Sequence, residues 1–449
     1  MTKQNASQGH IFYRRMAHTH PEIVRGEGVY LFDRQGKAYL DGSGGAIVVN
    51  AGHGIDSIAQ AISEQAAAAA YLHPTMFTAE VIGQYADALA VIVPLENPKF
   101  YFLTSGSEAV EAAIKLARQI QVERGNKTRY LTISRWMSYH GLSLGALAVS
   151  GKPKMRKLYQ PMFQDVPHIP PPYCYRCPFQ LEHPACGLKC ADALEEEILN
   201  QNPDNVAAFL AEPVSGATLG AVVPPDGYWP RIREICDRYG VLLIMDEVMT
   251  GMGRTGTWFA AEHWGVVPDI LTIGKGAASG YFPLSVVVTR GELVDLIASG
   301  SGDFSHGGTY SHHAVGAAAG LATLAYLQEH HLVESVAEKG QFLAEQLKAQ
   351  LGSSPYIGDI RGIGLMWGIE FVRESVSQQP FDQALHLSQQ ITDEAFRLGL
   401  VVYPGSGSVD GHRGDHIMVG PPFCITQDEI IRMVDLLKQA IDTSIHAVV

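Results

Sequence analysis

Two ionisable residues of opposite charge follow two short apolar runs in the middle of the 449-residue chain. Asp246 ends the run Val-Leu-Leu-Ile-Met-Asp, and Lys275 lies 29 positions later in Ile-Gly-Lys-Gly. Either residue alone would be interpreted as a surface charge at the end of a strand. Together they suit pyridoxal 5'-phosphate (PLP), because a buried lysine becomes a nucleophile that forms a Schiff base with the cofactor aldehyde. The aspartate keeps the pyridine nitrogen protonated, so that the ring can act as an electron sink.

A candidate phosphate-binding turn lies earlier in the chain. Residues 99–104 predict a strand, residues 109–118 predict a helix, and Ser105-Gly106-Ser107 connects the two. Small residues let the backbone approach an anion, and the first N–H groups and the macrodipole of a helix attract it. Taken alone, Ser107 is more typical of a helix cap than of a phosphate ligand. In combination with the aspartate and the lysine, the turn predicts a phosphate site.

Two further residues are candidates for contact with the cofactor ring. Tyr139 lies in Ser-Tyr-His-Gly (138–141), after the strand-like run at 130–133, and its aromatic ring could stack on a flat cofactor. Val248 lies two positions beyond Asp246 and therefore points to the same side of a strand. We expect Val248 to contact the ring from the face opposite Tyr139.

These segments resemble the class III aminotransferases, a family of fold-type-I PLP enzymes, along nearly the whole chain. The matching stretches are 28–33, 36–41, 104–108, 139–141, 211–214, 246–248, 251–256 and 307–311, together with Lys275. The resemblance implies an α/β fold in which a large domain, with a mainly parallel sheet flanked by helices, is joined to a smaller α+β domain.

The resemblance also implies roles for individual residues. Lys275, Asp246 and Tyr139 would be catalytic, with Lys275 as Schiff-base residue and proton shuttle. The expected cofactor-binding residues are Ser105, Gly106, Ser107, Tyr139, His140, Glu212, Asp246, Val248, Lys275 and Thr309. Thr309 would reach the phosphate of the neighbouring subunit, which implies a homodimer or a dimer of dimers.

Several positions depart from the family pattern and leave the substrate open. Residues 312–314 read His-His-Ala where the family often has Gly-His-Pro, and Ile47 stands where relatives that act on amines often carry a bulky aromatic residue. Gly420 replaces an arginine found in some relatives. Arg413, in the Gly/Ser-rich loop 405–415, is a candidate for the substrate carboxylate, because arginine binds carboxylates in a bidentate manner. A loop arginine of this kind is otherwise simply solvated.

Composition excludes several other classes of protein. Apolar residues make up 46% of the chain, which is sufficient for a large core. The net charge of −13, without a basic cluster, argues against nucleic-acid binding. No apolar run approaches the roughly 20 residues of a membrane span. Residues 1–10 are polar and lack the apolar core of a signal peptide, so we expect a cytoplasmic protein.

The order of the predicted elements indicates two domains. Apolar runs at 206–210, 241–245 and 270–273, separated by helical stretches, are typical of a parallel sheet covered on both faces. Residues 332–351 predict a helix that crosses to the smaller domain, where 363–371 and 398–403 predict strands. We assign residues 61–325 to the large PLP-binding domain and residues 1–60 and 326–449 to the smaller one.

An insertion at residues 170–192 contains four of the six cysteines. Cys174, Cys177, Cys186 and Cys190 follow the spacing C-x2-C-x8-C-x3-C. Four thiolates at this spacing could hold a structural zinc, and an iron–sulfur cluster is a second candidate. The alternative is a thiol-rich insertion whose cysteines pack as small hydrophobic residues.

The favoured reaction is transfer of an amino group from an ω-amino acid or primary amine to a keto acid, with pyruvate as the expected acceptor. The first alternative is a PLP-dependent racemase, epimerase or aminomutase, which returns the proton without losing the amine. A decarboxylating transaminase is a third candidate, and a non-enzymatic PLP-binding protein is a fourth. Trp136, Met137 and Ile47 are candidates for the lining of the substrate pocket.

Overall fold

The computed structural model describes residues 10–16 and 20–449. The strands, in chain order, are β1 (Ile23–Glu27), β2 (Tyr30–Asp33), β3 (Ala38–Asp41), β4 (Pro98–Leu103), β5 (Leu131–Arg135), β6 (His168–Ile169), β7 (Val206–Ala211), β8 (Leu242–Asp246), β9 (Ile270–Ile273), β10 (Ser285–Arg290), β11 (Ile357–Ile363), β12 (Met366–Phe371), β13 (Leu400–Val401), β14 (Tyr403–Ser406) and β15 (Asp415–Val419). The helices are α1 (Gly44–Ile47), α2 (Asp56–Ala68), α3 (Glu80–Ile92), α4 (Gly106–Glu123), α5 (Leu144–Val149), α6 (Pro153–Arg156), α7 (Lys189–Asn200), α8 (Tyr228–Tyr239), α9 (Gly291–Ser299), α10 (Ala314–Glu329), α11 (Leu332–Leu351), α12 (Leu387–Leu398) and α13 (Gln427–His446).

The largest sheet has seven strands in the order β4-β10-β9-β8-β7-β5-β6. Strands β9, β8, β7, β5 and β6 are parallel to one another, whereas β10 is antiparallel to both β4 and β9. This arrangement confirms the predicted α/β fold with a mainly parallel sheet. Because β4 runs in the same direction as the parallel strands, its carboxyl end lies at the same edge of the sheet as theirs.

Successive residues of the central strands pack on opposite faces of this sheet. In β8, Leu243 and Met245 join the apolar cluster under α7 and α8, whereas Leu242 and Ile244 join the cluster under α4. A strand buried on both faces has to be apolar at every position, which explains the uninterrupted apolar run that ends at Asp246.

Two four-stranded sheets accompany the main sheet. One has the order β1-β2-β3-β13 and the other is the antiparallel sheet β11-β12-β15-β14. Both contribute to one apolar core with α11, α12 and α13, so the N-terminal strands pack with the C-terminal part of the chain. The domain limits at residues 60 and 326 remain a proposal. The shared core is compatible with them.

Two predicted strands of the smaller domain were wrong in their extent. Residues 363–371 form no single strand, because Gly364, with φ +56°, turns the chain between antiparallel β11 and β12. An added Cβ at Gly364 would lie 2.5 Å from the carbonyl carbon of Thr255, so the turn also packs closely on the large domain. Residues 398–403 are divided because α12 ends at Gly399, with φ +87°, and β13 and β14 then join different sheets.

Within residues 10–16 and 20–449, no helix combines the length and the hydropathy that crossing a membrane requires.

Gly340, in the middle of α11, has a steric role that the substitution Gly340→Ala can test. An added Cβ would lie 2.3 Å from the carbonyl oxygen of Gly364, which is too close for the helix and the turn to keep their positions. Alanine normally favours a helix by about 1 kcal/mol over glycine, but overpacking costs about 1–3 kcal/mol. We expect Gly340→Ala to lower the melting temperature measured at a fixed scan rate.

Gly83→Ala in α3 is the matched control, since no heavy atom lies within 4 Å of its added Cβ. This variant should melt at or above the wild-type temperature. A melting temperature for Gly340→Ala as high as that of Gly83→Ala would contradict the packing described here.

Candidate active site

The candidate residues lie at one edge of the main sheet. Asp246 ends β8, Lys275 follows β9, Glu212 follows β7, and the loop with Tyr139 follows β5. The turn at Ser105 follows β4 at the same edge. Crevices outside the carboxyl ends of parallel strands are the usual ligand sites of open α/β sheets.

Lys275 is half-buried and has a left-handed backbone, with φ +44°. Its Nζ donates a hydrogen bond to the carbonyl oxygen of Ala46 at 2.9 Å. Burial lowers the pKa of Lys275 to about 8, although the carboxylates of Asp246 and Glu212 act in the opposite direction. A much larger fraction of the amine is therefore unprotonated near neutral pH than for an ordinary lysine, as a nucleophile requires.

Asp246 is 4% exposed and is surrounded by hydrogen-bond donors. Its Oδ2 lies 2.6 Å from Nδ1 of His140, and its Oδ1 accepts from the backbone N–H of Val248 and the hydroxyl of Thr272, both at 3.1 Å. An ionised carboxylate only accepts hydrogen bonds, so Nδ1 of His140 donates. The second ring nitrogen of His140 lies 3.3 Å from the hydroxyl of Ser134. The observed partner of His140 is thus Asp246, and its predicted contact with a cofactor stays a prediction.

Glu212 is a buried carboxylate whose hydrogen-bonding capacity is only partly used. Its Oε1 accepts from the backbone N–H of Gly216 at 3.1 Å, whereas its Oε2 has no hydrogen-bond partner among the described residues. Burial raises the pKa of Glu212, and the charges of His140 and Arg135 lower it. An unpartnered buried oxygen at this edge of the sheet leaves an acceptor for a donor group on a ligand.

The two serines of the turn before α4 make different hydrogen bonds. Ser105 is the N-cap, since its Oγ accepts from the backbone N–H of Glu108 at 3.3 Å and the side chain of Glu108 accepts in return. The residue that caps α4 is therefore Ser105 and not Ser107. The Oγ of Ser107 instead accepts from the backbone N–H of Leu142 at 3.2 Å. The N–H groups of Gly106 and Ser107 are the first of the helix and have no intrahelical acceptor.

Three glycines without a Cβ allow the phosphate turn, the segment after β8 and the segment before Lys275 to pack closely. A Cβ at Gly106 would lie 3.0 Å from Val248, and one at Gly274 would lie 3.1 Å from the same side chain. Gly141, with φ +131°, has its added Cβ 2.3 Å from Oγ of Ser107. Val248 thus lies between the predicted phosphate turn and the residue before Lys275.

Tyr139 is half-buried at this edge of the sheet. Burial raises the pKa of Tyr139; Tyr403 and Asp246 act in the same direction, and Arg14 acts in the opposite direction. Tyr139 therefore lies near Asp246 and Tyr403, and its stacking on a cofactor ring stays a prediction. Trp136 is directed elsewhere, because its ring stacks on His168 with a centroid distance of 4.5 Å.

Two predicted ligand residues lie on the surface of the chain. Thr309 is exposed in the loop before Tyr310, which is itself 58% exposed. The side chain of Arg413 is 57% exposed and its Nε donates to Oδ2 of Asp410 at 2.7 Å. Both assignments remain predictions, since neither residue contacts the buried group around Asp246.

The predicted zinc or iron–sulfur site at the cysteine insertion is not supported. Cys174, Cys177, Cys186 and Cys190 line a common cavity, but no three His, Cys, Asp or Glu side chains in the described part of the chain are arranged to hold a metal ion. Burial raises the pKa of Cys190 to about 12, as expected for a thiol in apolar surroundings. Cys190 packs as a small hydrophobic residue, as the alternative interpretation expected.

Arg254 is a residue of this site that sequence reasoning missed. It is fully buried within the stretch 251–256, and its charge contributes to the lowered pKa of Lys275. Its guanidinium donates to the carbonyl oxygens of Leu365 and Pro421 at 3.0 and 2.7 Å. The glycine-rich spacing around Arg254 marked the stretch as specific, but no local signal predicts contacts with residues more than 100 positions away.

These residues fit PLP in their chemistry. A lysine with a lowered pKa, a buried aspartate and free helix N–H groups supply a nucleophile, a ring-nitrogen partner and a phosphate site. The unpartnered oxygen of Glu212 and the half-buried side chain of Val248 offer a polar and an apolar contact for a ring. Fold and site together define a fold-type-I PLP enzyme.

Comparison with known proteins identifies the family. The model of the family "Aminotransferase class-III" matches residues 11–441, and the chain therefore belongs to the class III aminotransferases. The putrescine–pyruvate aminotransferase of Pseudomonas aeruginosa is 33% identical over 428 residues, covering 95% of this chain and 91% of the relative. The diaminobutyrate–2-oxoglutarate transaminase of Halomonas elongata is 34% identical, covering 94% and 90%.

A solved structure gives the same result. The crystal structure of a thermostable (S)-enantioselective omega-transaminase from Thermomicrobium roseum is 37% identical, with a TM-score of 0.87 over 96% of this chain and 93% of the other. The protein is an aminotransferase, and enzymes of this family use PLP and act on an amine donor and a keto acid.

The lowered pKa of Lys275 predicts the pH dependence of cofactor capture. Only the unprotonated amine attacks an aldehyde. The rate at which apoprotein captures saturating PLP should therefore rise with pH and reach half of its maximum near pH 8. Asp246→Asn removes a carboxylate that raises this pKa, so its midpoint should move to lower pH. The visible absorbance of the bound cofactor reports the rate.

Asp442→Asn on α13 is the control, because Asp442 is a surface acid that pairs with Lys438. Its midpoint should equal that of the wild type. A wild-type midpoint at the ordinary lysine value near 10.5 would contradict the described environment of Lys275.

Proposed function

We propose that this aminotransferase moves the amino group of an ω-amino acid or primary amine to a keto acid, with pyruvate as acceptor, in two half-reactions at one site. The observation that carries the proposal is the convergence of Lys275, Asp246 and Glu212 at the carboxyl edge of the sheet. When bound, PLP supplies a ring that accepts the electron pair released at the substrate carbon.

The residues of the chain have distinct tasks in this proposal. With PLP bound, Lys275 would hold the aldehyde of the cofactor, and its Nζ, once freed by the substrate amine, would take up and return the proton at the reacting carbon. A pKa of about 8 suits this transfer, because a general acid–base group is most effective when its pKa lies near the working pH. Asp246, supported by His140, holds the proton of the ring nitrogen.

The remaining residues of the site bind and orient. The N–H groups at Gly106 and Ser107 and the Ser107 hydroxyl bind the phosphate, while Tyr139 and Val248 hold the two faces of the ring. Glu212 stays buried beside the ring with one oxygen available for a hydrogen bond. Each of these contacts fixes the ring so that the bond to be broken at the substrate carbon is held in position.

The choice of donor and acceptor rests on similarity. One relative is named for putrescine and pyruvate and another for diaminobutyrate and 2-oxoglutarate, so both acceptors occur at comparable identity. The solved omega-transaminase supports the expectation of an amine that is not on an α-carbon.

A homodimer is part of the proposal. Thr309 and Tyr310 are exposed, and Tyr310 contacts the ring of Tyr71, which is also exposed, with a centroid distance of 6.3 Å. In a dimer, Thr309 would complete the phosphate site of the partner subunit. Sedimentation of the PLP-loaded protein should give twice the monomer mass of 48.7 kDa, or four times that mass for a dimer of dimers.

A titration of PLP-loaded protein with primary amines and ω-amino acids, without keto acid, tests the reaction. We expect the visible band of the bound cofactor to disappear and to return on addition of pyruvate, because the amino group stays on the cofactor until an acceptor removes it. If the band returns only with 2-oxoglutarate, the acceptor is 2-oxoglutarate and not pyruvate. Persistence of the band while a chiral amine racemises would contradict transamination and favour the isomerase.

A further inference from the structure

Lys152 is a buried ammonium without a counter-ion. The residue is 5% exposed and directly precedes α6, and no hydrogen bond or ion pair joins its side chain to any of the described residues. Burial lowers the pKa of Lys152 to about 8, and the charge of Lys154 acts in the same direction. Buried charges are normally paired, because loss of hydration is costly. A buried lysine that faces no acid is therefore suited to an anionic ligand.

The backbone holds Lys152 beside the loop that carries Tyr139. The N–H of Gly151 donates to the carbonyl oxygen of Ser138 at 3.1 Å, and the N–H of Met137 donates to the carbonyl oxygen of Gly151 at 3.0 Å. A Cβ at Gly151 would lie 2.0 Å from the carbonyl oxygen of Arg135, so the two segments are in close contact. The position of Lys152 is thus fixed relative to the candidate active site.

Lys152 and Tyr139 act on the same face of the hairpin β14–β15. The charge of Lys152 lowers the pKa of buried His416, whose cross-strand partner in the hairpin is Gly405. Tyr403, on the same strand as Gly405, raises the pKa of Tyr139. Positions 403 and 405 lie on one face, about 7 Å apart along the strand. Lys152 and Tyr139 therefore both lie near this hairpin.

Lys152 is a better-placed partner for a carboxylate than Arg413. The loop of Arg413 packs next to Lys152, since a Cβ at Gly411 would lie 2.7 Å from Cδ of Pro153. Arg413 is exposed and already paired with Asp410, so an incoming carboxylate would share the guanidinium with that acid and compete with water. At Lys152 the incoming carboxylate would meet a desolvated cation with no competitor.

We propose that the ammonium of Lys152 binds the carboxylate of the substrate and so selects amino acids over plain amines. This assignment rests on the proposed aminotransferase function. The carboxylate can belong to the ω-amino acid donor or to the keto acid acceptor, and separate half-reactions distinguish the two sources.

Lys152→Met, which removes the charge and keeps much of the side-chain length, is the test variant in the PLP-loaded enzyme. For the donor, kcat/KM is compared between 4-aminobutyrate and butylamine, which differ in the carboxylate. For the acceptor, the aminated cofactor form is treated with pyruvate or propanal. We expect a loss of about tenfold or more for at least one carboxylate substrate, with butylamine and propanal within about twofold of wild type.

Controls separate charge from structure. Lys157→Met removes an exposed lysine five positions away, whose charge is not among those that shift the pKa of Lys152, and should leave all four substrates unchanged. Lys152→Arg should recover part of the loss. If Lys152→Met does not retain PLP, Lys152→Gln is measured in the same way.

Each result is decisive. If Lys152→Met loses activity with 4-aminobutyrate alone, Lys152 binds the carboxylate of the donor. If it loses activity with pyruvate alone, Lys152 binds the carboxylate of the acceptor, and a loss with both means that one site serves both substrates. Unchanged rates with both, or an equal loss with butylamine, would overturn the assignment while leaving the aminotransferase intact. A wild-type enzyme that converts neither butylamine nor 4-aminobutyrate would instead overturn the proposed function.

Discussion

The carboxylate of Asp246 has to remain charged where its side chain is almost completely buried, and the organisation of the site follows from this constraint. Burying a charge is tolerable only when hydrogen bonds replace water. The donors are His140 from the loop after β5, Val248 from the loop after β8, and Thr272 within β9. The carboxylate is therefore stable only if these strands keep their order, which also places Lys275 at the same edge of the sheet.

The same edge is closed by the smaller domain. Arg254 joins the two parts, because its fully buried guanidinium donates to Leu365, Pro421 and the side-chain oxygen of Asn50, three distant parts of the chain. The cysteine insertion contributes at the same junction through Glu370, whose buried carboxylate accepts from Tyr173, Arg176 and Arg361. These contacts join β12 and the segment after β15 to the parts of the chain that carry Arg254 and the cysteine insertion.

Local patterns in the sequence predicted the parts of the fold that depend on local chemistry. The predicted helix at 332–351 and strand at 270–273 agree with α11 and β9, because periodicity and apolar runs determine them. The division of 363–371 at Gly364 escaped prediction, since that glycine is required by a contact with Thr255 far along the chain. The spacing of the cysteines suggested a metal, but spacing does not report whether neighbouring thiols take up the geometry that a metal ion requires. Lys152 escaped notice because an unpaired charge is recognised only when its neighbours in space are known.

Reduction of the PLP-loaded protein with borohydride, followed by peptide mass mapping, tests the central claim most directly. The reagent makes the bond between the cofactor and its lysine permanent, so the modified peptide identifies the nucleophile. We predict modification at Lys275 and none in the variant Lys275→Ala, which should also lose turnover. Modification at Lys152, the other buried lysine with a pKa of about 8, or full turnover of Lys275→Ala would contradict the account.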